Sequence, residues 1–224
     1  MSDSPEPTSA PSEPGTVIAS SSGSKKWQLF VIIALLSLIA DQATKIWARN
    51  ALPVVRPHGD AVCIVPDDIV NRTCAGHPVS VIDGIWEWRL SMNPGSAFGL
   101  FSSQTGARVL LSLVGILAVF GMLFMLRKAR PDQRILHWAL ALVTGGALGN
   151  LIDRVYFGVV TDFILWRYQS HEWPVFNVAD VVLVVGVGLM FIDIQKEGGR
   201  DKARKARRDA KAKAAGLVKT FDGK

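Results

Sequence analysis

Cysteine and histidine are nearly absent, with two of one and four of the other in 224 residues. The histidines, His58, His77, His137 and His171, are scattered without the spacing of a metal-ligand set, so no metal is expected. Cys63 and Cys74 have no neighbouring residue pattern that would activate a thiolate, which argues against cysteine catalysis. Long apolar runs are missing from the first 24 residues and the last 29. The first such run begins only after Lys25 and Lys26, and Asp41-Gln-Ala-Thr-Lys45 follows it in place of a small-residue cleavage site. It therefore reads as an uncleaved span rather than a secretory signal peptide. No internal repeat is visible. The basic tail has no aromatic interleaving apart from Phe221, so nucleic acid is not an expected partner.

The hydrophobic residues, 49% of the chain, are concentrated in its middle. Trp27 to about Ala48 is long enough to cross a bilayer, reaching roughly 33 Å as a helix at about 1.5 Å per residue. Val109 to Leu126 carries no charge, Ile135 to about Ile152 carries Gly145, Gly146 and Gly149 for close helix packing, and a fourth span runs from near Phe176 to near Ile194. Between the first two spans, from about 50 to 108, Pro53, Pro57, Pro66 and Pro78 break any helix, while Val79 to Ile82 and Trp86 to Leu90 read as strands. The expected fold is mainly α, a polytopic membrane protein with four transmembrane helices and a small extracytoplasmic β subdomain. Residues 1–24 read as a disordered leader and 25–195 as the four-span domain. Residues 196–224 read as a basic tail, with 11 Lys or Arg against 4 Asp or Glu. Lys25-Lys26, the 127–134 loop and this tail fall on one side of a four-span arrangement. Their charge makes that side, with both termini, cytoplasmic. Cys63 and Cys74 then lie in an oxidising compartment, where a disulfide would stabilise a segment short of core.

Between and at the ends of these apolar segments sit Asp153, Asp162, Asp180, Asn150 and Asn177. Ionisable groups at membrane depth are costly, about 3 kcal/mol on insertion scales, and their default reading is functional. Asn150, Asp153 and Arg154 share a helix face at i, i+3 and i+4, Asn177 and Asp180 share another, and Asp162 lies in an apolar connector that can fold back on the bundle. Asp41 and Lys45, at i and i+4, form either a helix-end ion pair or the entrance to this cluster. Two carboxylates in a poorly hydrated site share a proton, so one can act as base on a water while the other hydrogen-bonds a scissile carbonyl. Spacing leaves the three aspartates of equal standing. Structural ion pairing with Arg154 and Lys45, cation transport, and a non-enzymatic role in membrane assembly remain open.

Five motifs in order between four spans carry a resemblance. They are Asp41-Gln-Ala-Thr-Lys45, Asn93-Pro-Gly-Ser-Ala-Phe98, Gly145-Gly-Ala-Leu-Gly-Asn150-Leu-Ile-Asp153-Arg154, Val160-Thr-Asp162-Phe163 and Phe176-Asn177-Val-Ala-Asp180. Over roughly residues 27–195 the chain resembles the bacterial lipoprotein signal peptidases, signal peptidase II. The resemblance implies a cofactor-free aspartic endopeptidase of the bacterial inner membrane, acting as a monomer near the extracytoplasmic face. It would cut diacylglyceryl-modified prolipoproteins, admitted laterally from the lipid, just before the lipidated cysteine. It places the catalytic pair on Asp162 and Asp180. Asp153 becomes a support, Asn93, Gly95, Asn150, Arg154 and Asn177 position substrate or order the site, and Asp41 and Lys45 match a supporting pair. The sequence departs from the family pattern at Ser96, at Thr161, and in the 53–80 insertion that carries Cys63 and Cys74.

Overall fold

The computed structural model describes residues 22–57, 62–95 and 104–214. The leader before residue 22, the Ser96 to Phe98 part of the second motif and the end of the tail lie outside the described residues. Among the described residues, four helices are long and apolar enough to cross a membrane: α1 (Ser22–Ala51), α3 (Gln104–Lys128), α4 (Arg134–Tyr156) and α5 (Val178–Ala214). They coincide with the four expected spans. Each helix runs beyond its apolar stretch, because backbone hydrogen bonding continues wherever no proline or turn residue stops it. The fourth begins at Val178 rather than Phe176 and continues unbroken through Ala214, so the basic segment from 196 extends the same helix.

α4 is the hub, packed against α1, α3 and α5. Its glycines make this possible: a methyl at Gly145 would lie 2.7 Å from the Ala34 carbonyl oxygen of α1, and one at Gly146 would lie 2.6 Å from the Ala179 carbonyl oxygen of α5. Small residues let helix backbones approach where lipid offers no hydrophobic drive for association. α3 is the outermost span, presenting Val114, Leu117, Phe120 and Phe124 outward. Phe30, Ile33, Leu126 and Leu140 form an apolar core at one end of the bundle. At that end the Lys26 ammonium donates to the Leu126 (3.0 Å) and Ala129 (2.9 Å) carbonyls, and Arg130 pairs with Glu197.

At the other end sits the β subdomain. Short strands β1 (Val54–Val55) and β2 (Ala75–Gly76) pair with each other and enclose a one-turn helix, α2 (Asp67–Val70). A four-stranded antiparallel sheet runs in the order β3 (Val79–Ile82), β4 (Trp86–Asn93), β5 (Val160–Tyr168), β6 (His171–Glu172). The strands β3 and β4 match the expected ones. The connector carrying Asp162 is itself the strand β5, hydrogen-bonded along β4, with Ser91 opposite Asp162 and Asn93 opposite Val160. Trp88 packs against Trp47 of α1 (ring centroids 5.4 Å apart) and Phe163 of β5 (5.8 Å), so it serves the seam between sheet and bundle. Ala48, Leu52, Leu90, Met92 and Val159 complete this second core, which fixes β5 on the mouth of the bundle.

Candidate active site

Backbone pairing brings Asp162 and Asp180 together. The Ile164 and Phe163 amides donate to the Phe176 carbonyl at 2.8 and 3.0 Å, and the Phe176 amide returns a bond of 3.0 Å to Ile164. Phe176 is thus stitched to β5 immediately before α5 begins, and Asn177 is the N-terminal cap of that helix. The Asn177 Oδ1 accepts from the Asp180 amide (3.0 Å), while the Asp180 carboxylate accepts from the Asn177 amide (3.2 Å). This reciprocal pair is a capping box, with the acidic residue at the third helical position. The Asn177 side-chain nitrogen then donates 2.6 Å to Asp162 Oδ1. One buried asparagine therefore holds both carboxylates.

The other polar residues divide into those that touch this pair and those that stand behind it. Asn150 Nδ2 donates to Asp180 (2.9 Å), and Asn150 Oδ1 accepts from Asn177 (3.2 Å) and from the Lys45 ammonium (2.8 Å). Asn93 Nδ2 donates to Asp162 Oδ2 at 3.0 Å. Its Oδ1 accepts from the Gly95 amide at 2.8 Å, closing a turn in which Gly95 has φ 85°, left-handed backbone where a side chain is disfavoured. Arg154 donates to the Asn150 carbonyl at 3.4 Å, with Asp180 and Asp162 near enough to attract its charge.

Asp41 and Lys45 are not at a helix end but wholly buried behind the pair, 2.9 Å apart. The difference from a surface ion pair arises because α1 continues past them to Ala51 and the sheet covers that end. Asp41 also accepts from the Ala179 amide (2.8 Å), so it too caps α5. Gln42 donates to Asp41 and to the Gly149 carbonyl, both at 3.1 Å. Asp153 has other partners: its carboxylate accepts from the Thr161 amide (2.8 Å) and lies 3.7 Å from both Lys45 and Arg49. The Thr161 hydroxyl accepts from Arg49 at 2.8 Å, a bond from α1 to β5 that involves neither Asp162 nor Asp180. Sequence reasoning missed Arg49 and Gln42. For Arg49 the signal was present, since 41, 45 and 49 recur every four residues along one face of α1.

Asp162 is 2% exposed, and its carboxyl is pushed up to about 7, first by burial and then by the Asp180 charge, against the lowering effect of the Asn93 and Asn177 hydrogen bonds. Two clefts flank the pair. One, of about 310 Å³, is apolar, formed by Trp166, Trp173 and Phe176 with Val181, Val184 and Val185 of α5, and Asp180 at its edge. The other, of about 280 Å³, borders Asp162 and runs between Ser91 to Pro94 and the α2 segment.

Residues 33–196 match the family described as signal peptidase (SPase) II. The chain belongs to the signal peptidase II family. A lipoprotein signal peptidase of Clostridium novyi (strain NT) is 32% identical over 169 residues, covering 75% of this chain and 98% of that protein. One from Anaeromyxobacter sp. (strain Fw109-5) is 34% identical over 196 residues, covering 83% and 92%. A solved structure of a bacterial membrane enzyme, obtained by the in meso method at 2.3 Å resolution, superposes with a TM-score of 0.58 at 26% identity, covering 77% of this chain and 91% of that one. The fold of this signal peptidase II family member is accordingly that of a multi-pass protein of the bacterial inner membrane. Nothing favours the transport or assembly alternatives. The Cys63 and Cys74 sulfurs are bonded to each other within the insertion, with the Cα atoms 6.2 Å apart.

Proposed function

We propose that Asp162 and Asp180 are the catalytic pair with which this member of the signal peptidase II family removes signal peptides from prolipoproteins. The observation that carries the reading is the bridge through Asn177, which holds two carboxylates side by side at the mouth of an apolar bundle. Asp162, whose carboxyl keeps its proton up to about 7, donates a hydrogen bond to the scissile carbonyl oxygen and retains that proton through the cycle. Asp180 takes a proton from water as the water oxygen bonds to the carbonyl carbon. The tetrahedral intermediate then collapses with cleavage of the C–N bond, and the leaving amine receives the proton held by Asp180. Asn93 and Asn150 fix the two carboxylates in these roles. The apolar cleft beside Asp180 accommodates the lipid of a diacylglyceryl-modified cysteine, and its α5 face opens to the bilayer.

The end of the bundle bearing Lys26, Arg130 and the basic extension of α5 is cytoplasmic, because positive charge is retained on that side. The dyad and the β subdomain, at the opposite end, face the extracytoplasmic side. The enzyme works as a monomer.

The test is cleavage of a lipid-modified prolipoprotein by purified Asp162→Asn and Asp180→Asn variants. Each should retain its helical spectrum while losing activity by about a thousandfold, the scale of general acid–base catalysis. Processing at the wild-type rate by either variant would remove that residue from the dyad.

A further inference from the structure

The cleft bordering Asp162 has a second wall, built by the cysteine-bearing insertion. Residues 53–77 close on themselves: Val54 pairs with Gly76 and Val55 with Ala75, the His77 amide donates to the Pro53 carbonyl (2.9 Å), and Cys63 is bonded to Cys74. Asp68 is the centre of this loop. Its carboxylate accepts from Arg56 at 2.6 Å, from the Ile64 amide at 2.5 Å and from the Thr73 hydroxyl at 2.9 Å. Its carbonyl accepts from the Thr73 and Cys74 amides at 2.8 and 3.0 Å. Ile69 and Val70 pack the loop onto the core below the sheet.

What this scaffold presents is Arg72. It sits just past the cap of α2 with φ 59°, the left-handed conformation in which helices usually end on glycine because a Cβ is penalised there. An arginine held in that conformation by its surroundings points to a use for its side chain. Arg72 and Asp162 are the two charged residues lining the cleft, which Ser91, Asn93 and Pro174 also border. Arg56 is consumed by Asp68, whereas Arg72 has no ion pair among the described residues. A peptide with its scissile bond at Asp162 therefore continues past an unspent guanidinium, suited to a carboxylate.

We propose that the disulfide-tied turn presents Arg72 as a specificity-determining residue that favours prolipoproteins bearing an acidic side chain within three residues of the scissile bond. The inference rests on the proposed dyad, because it places the scissile bond at Asp162. An exposed charge pair of this kind acts on substrate binding, so the preference lies in KM rather than kcat.

The experiment uses the full-length enzyme and matched synthetic lipopeptides carrying Asp or Asn at each of the three positions before the cleaved bond and at the second and third positions after it, the first being the lipidated cysteine. The wild type should favour Asp at one position by about three- to fivefold in KM, the size expected of a partly solvated pair, and the favoured side of the bond identifies which part of the substrate fills the cleft. Arg72→Gln should bring that Asp/Asn pair of substrates within twofold of each other, and Arg72→Lys should restore part of the gap. Cys63→Ser combined with Cys74→Ser should narrow it as the turn loosens. Equal KM values for every Asp/Asn pair in the wild type, or a preference that persists in Arg72→Gln, would overturn the role of Arg72 and leave the dyad standing. Failure of the wild type to cleave any of the lipopeptides would bring down the peptidase reading and this inference together.

Discussion

Asn177 and Asp180 cap one another across the first turn of α5, each side chain accepting from the other's amide at 3.0 and 3.2 Å. The side-chain amide of the same Asn177 donates to Asp162, so a motif that ordinarily only starts a helix here also sets the spacing of two carboxylates. Asn177→Ala removes the cap and both side-chain bonds at once. Loss of the cap should cost about 1 kcal/mol of stability, while kcat should fall at least tenfold, roughly the cost of misplacing a catalytic group. Thermal denaturation in detergent and steady-state cleavage, measured on one preparation, separate the two effects. A kcat within twofold of wild type would show that the dyad does not depend on this bridge.

The proton on Asp162 predicts two pH dependences. An unfolded aspartate loses its proton near 3.8, and this one keeps it up to about 7, so the folded protein binds more protons throughout that interval. Stability drawn from this group is therefore greatest at low pH, declines as pH rises through the interval, and stays reduced above it. Asp162→Asn should flatten this part of the dependence of Tm on pH. Activity that needs one shared proton should fall on the alkaline side of about 7. A rate that stays level up to about pH 9, some two units beyond that value, would contradict the assignment of the acid.

Much of this arrangement was legible in the sequence, for reasons that also explain what was not. The four spans follow from apolar runs of bilayer length, and the facing of Asn150 with Arg154, or of Asn177 with Asp180, follows from helix periodicity. Local spacing is silent about pairings between distant segments. That Asp162 lies on a strand beside β4, reached there by Asn93 across 69 residues, is set by β4–β5 register. The complete burial of Lys45 is likewise non-local, since it depends on α4 approaching at Gly149 and on the sheet closing the bundle end. Local pattern left Asp153 equal in standing to Asp162 and Asp180, and the family resemblance separated it from them.

Asp153 binds the Thr161 amide and faces Lys45 and Arg49, without touching either dyad carboxylate. It holds the start of β5 and thereby the strand that carries Asp162. Asp153→Asn preserves an acceptor for Thr161 and removes only the charge. It should therefore reduce cleavage by about tenfold or less, well short of a dyad replacement, and act more on stability than on kcat. An equal or greater loss than in Asp162→Asn, with the fold intact, would count against a supporting role.

Lys45 is a cation shared by three polar groups of the bundle interior: Asp41 at 2.9 Å, Asn150 at 2.8 Å and Asp153 at 3.7 Å. Because all of Lys45, Asp41 and Asp153 are excluded from solvent, removing the ammonium does not return the carboxylates to water. Lys45→Met should consequently cost about 3–5 kcal/mol, the penalty of an uncompensated buried charge rather than the worth of the pair. The double variant Asp41→Asn with Lys45→Met removes one of the stranded carboxylates and should recover part of that loss, while the carboxamide oxygen introduced at position 41 can still accept from the Ala179 amide. Asp153 would retain Arg49 at 3.7 Å. A double variant less stable than Lys45→Met alone would mean that Asp41 stabilises the bundle chiefly by capping α5, with the ion pair secondary.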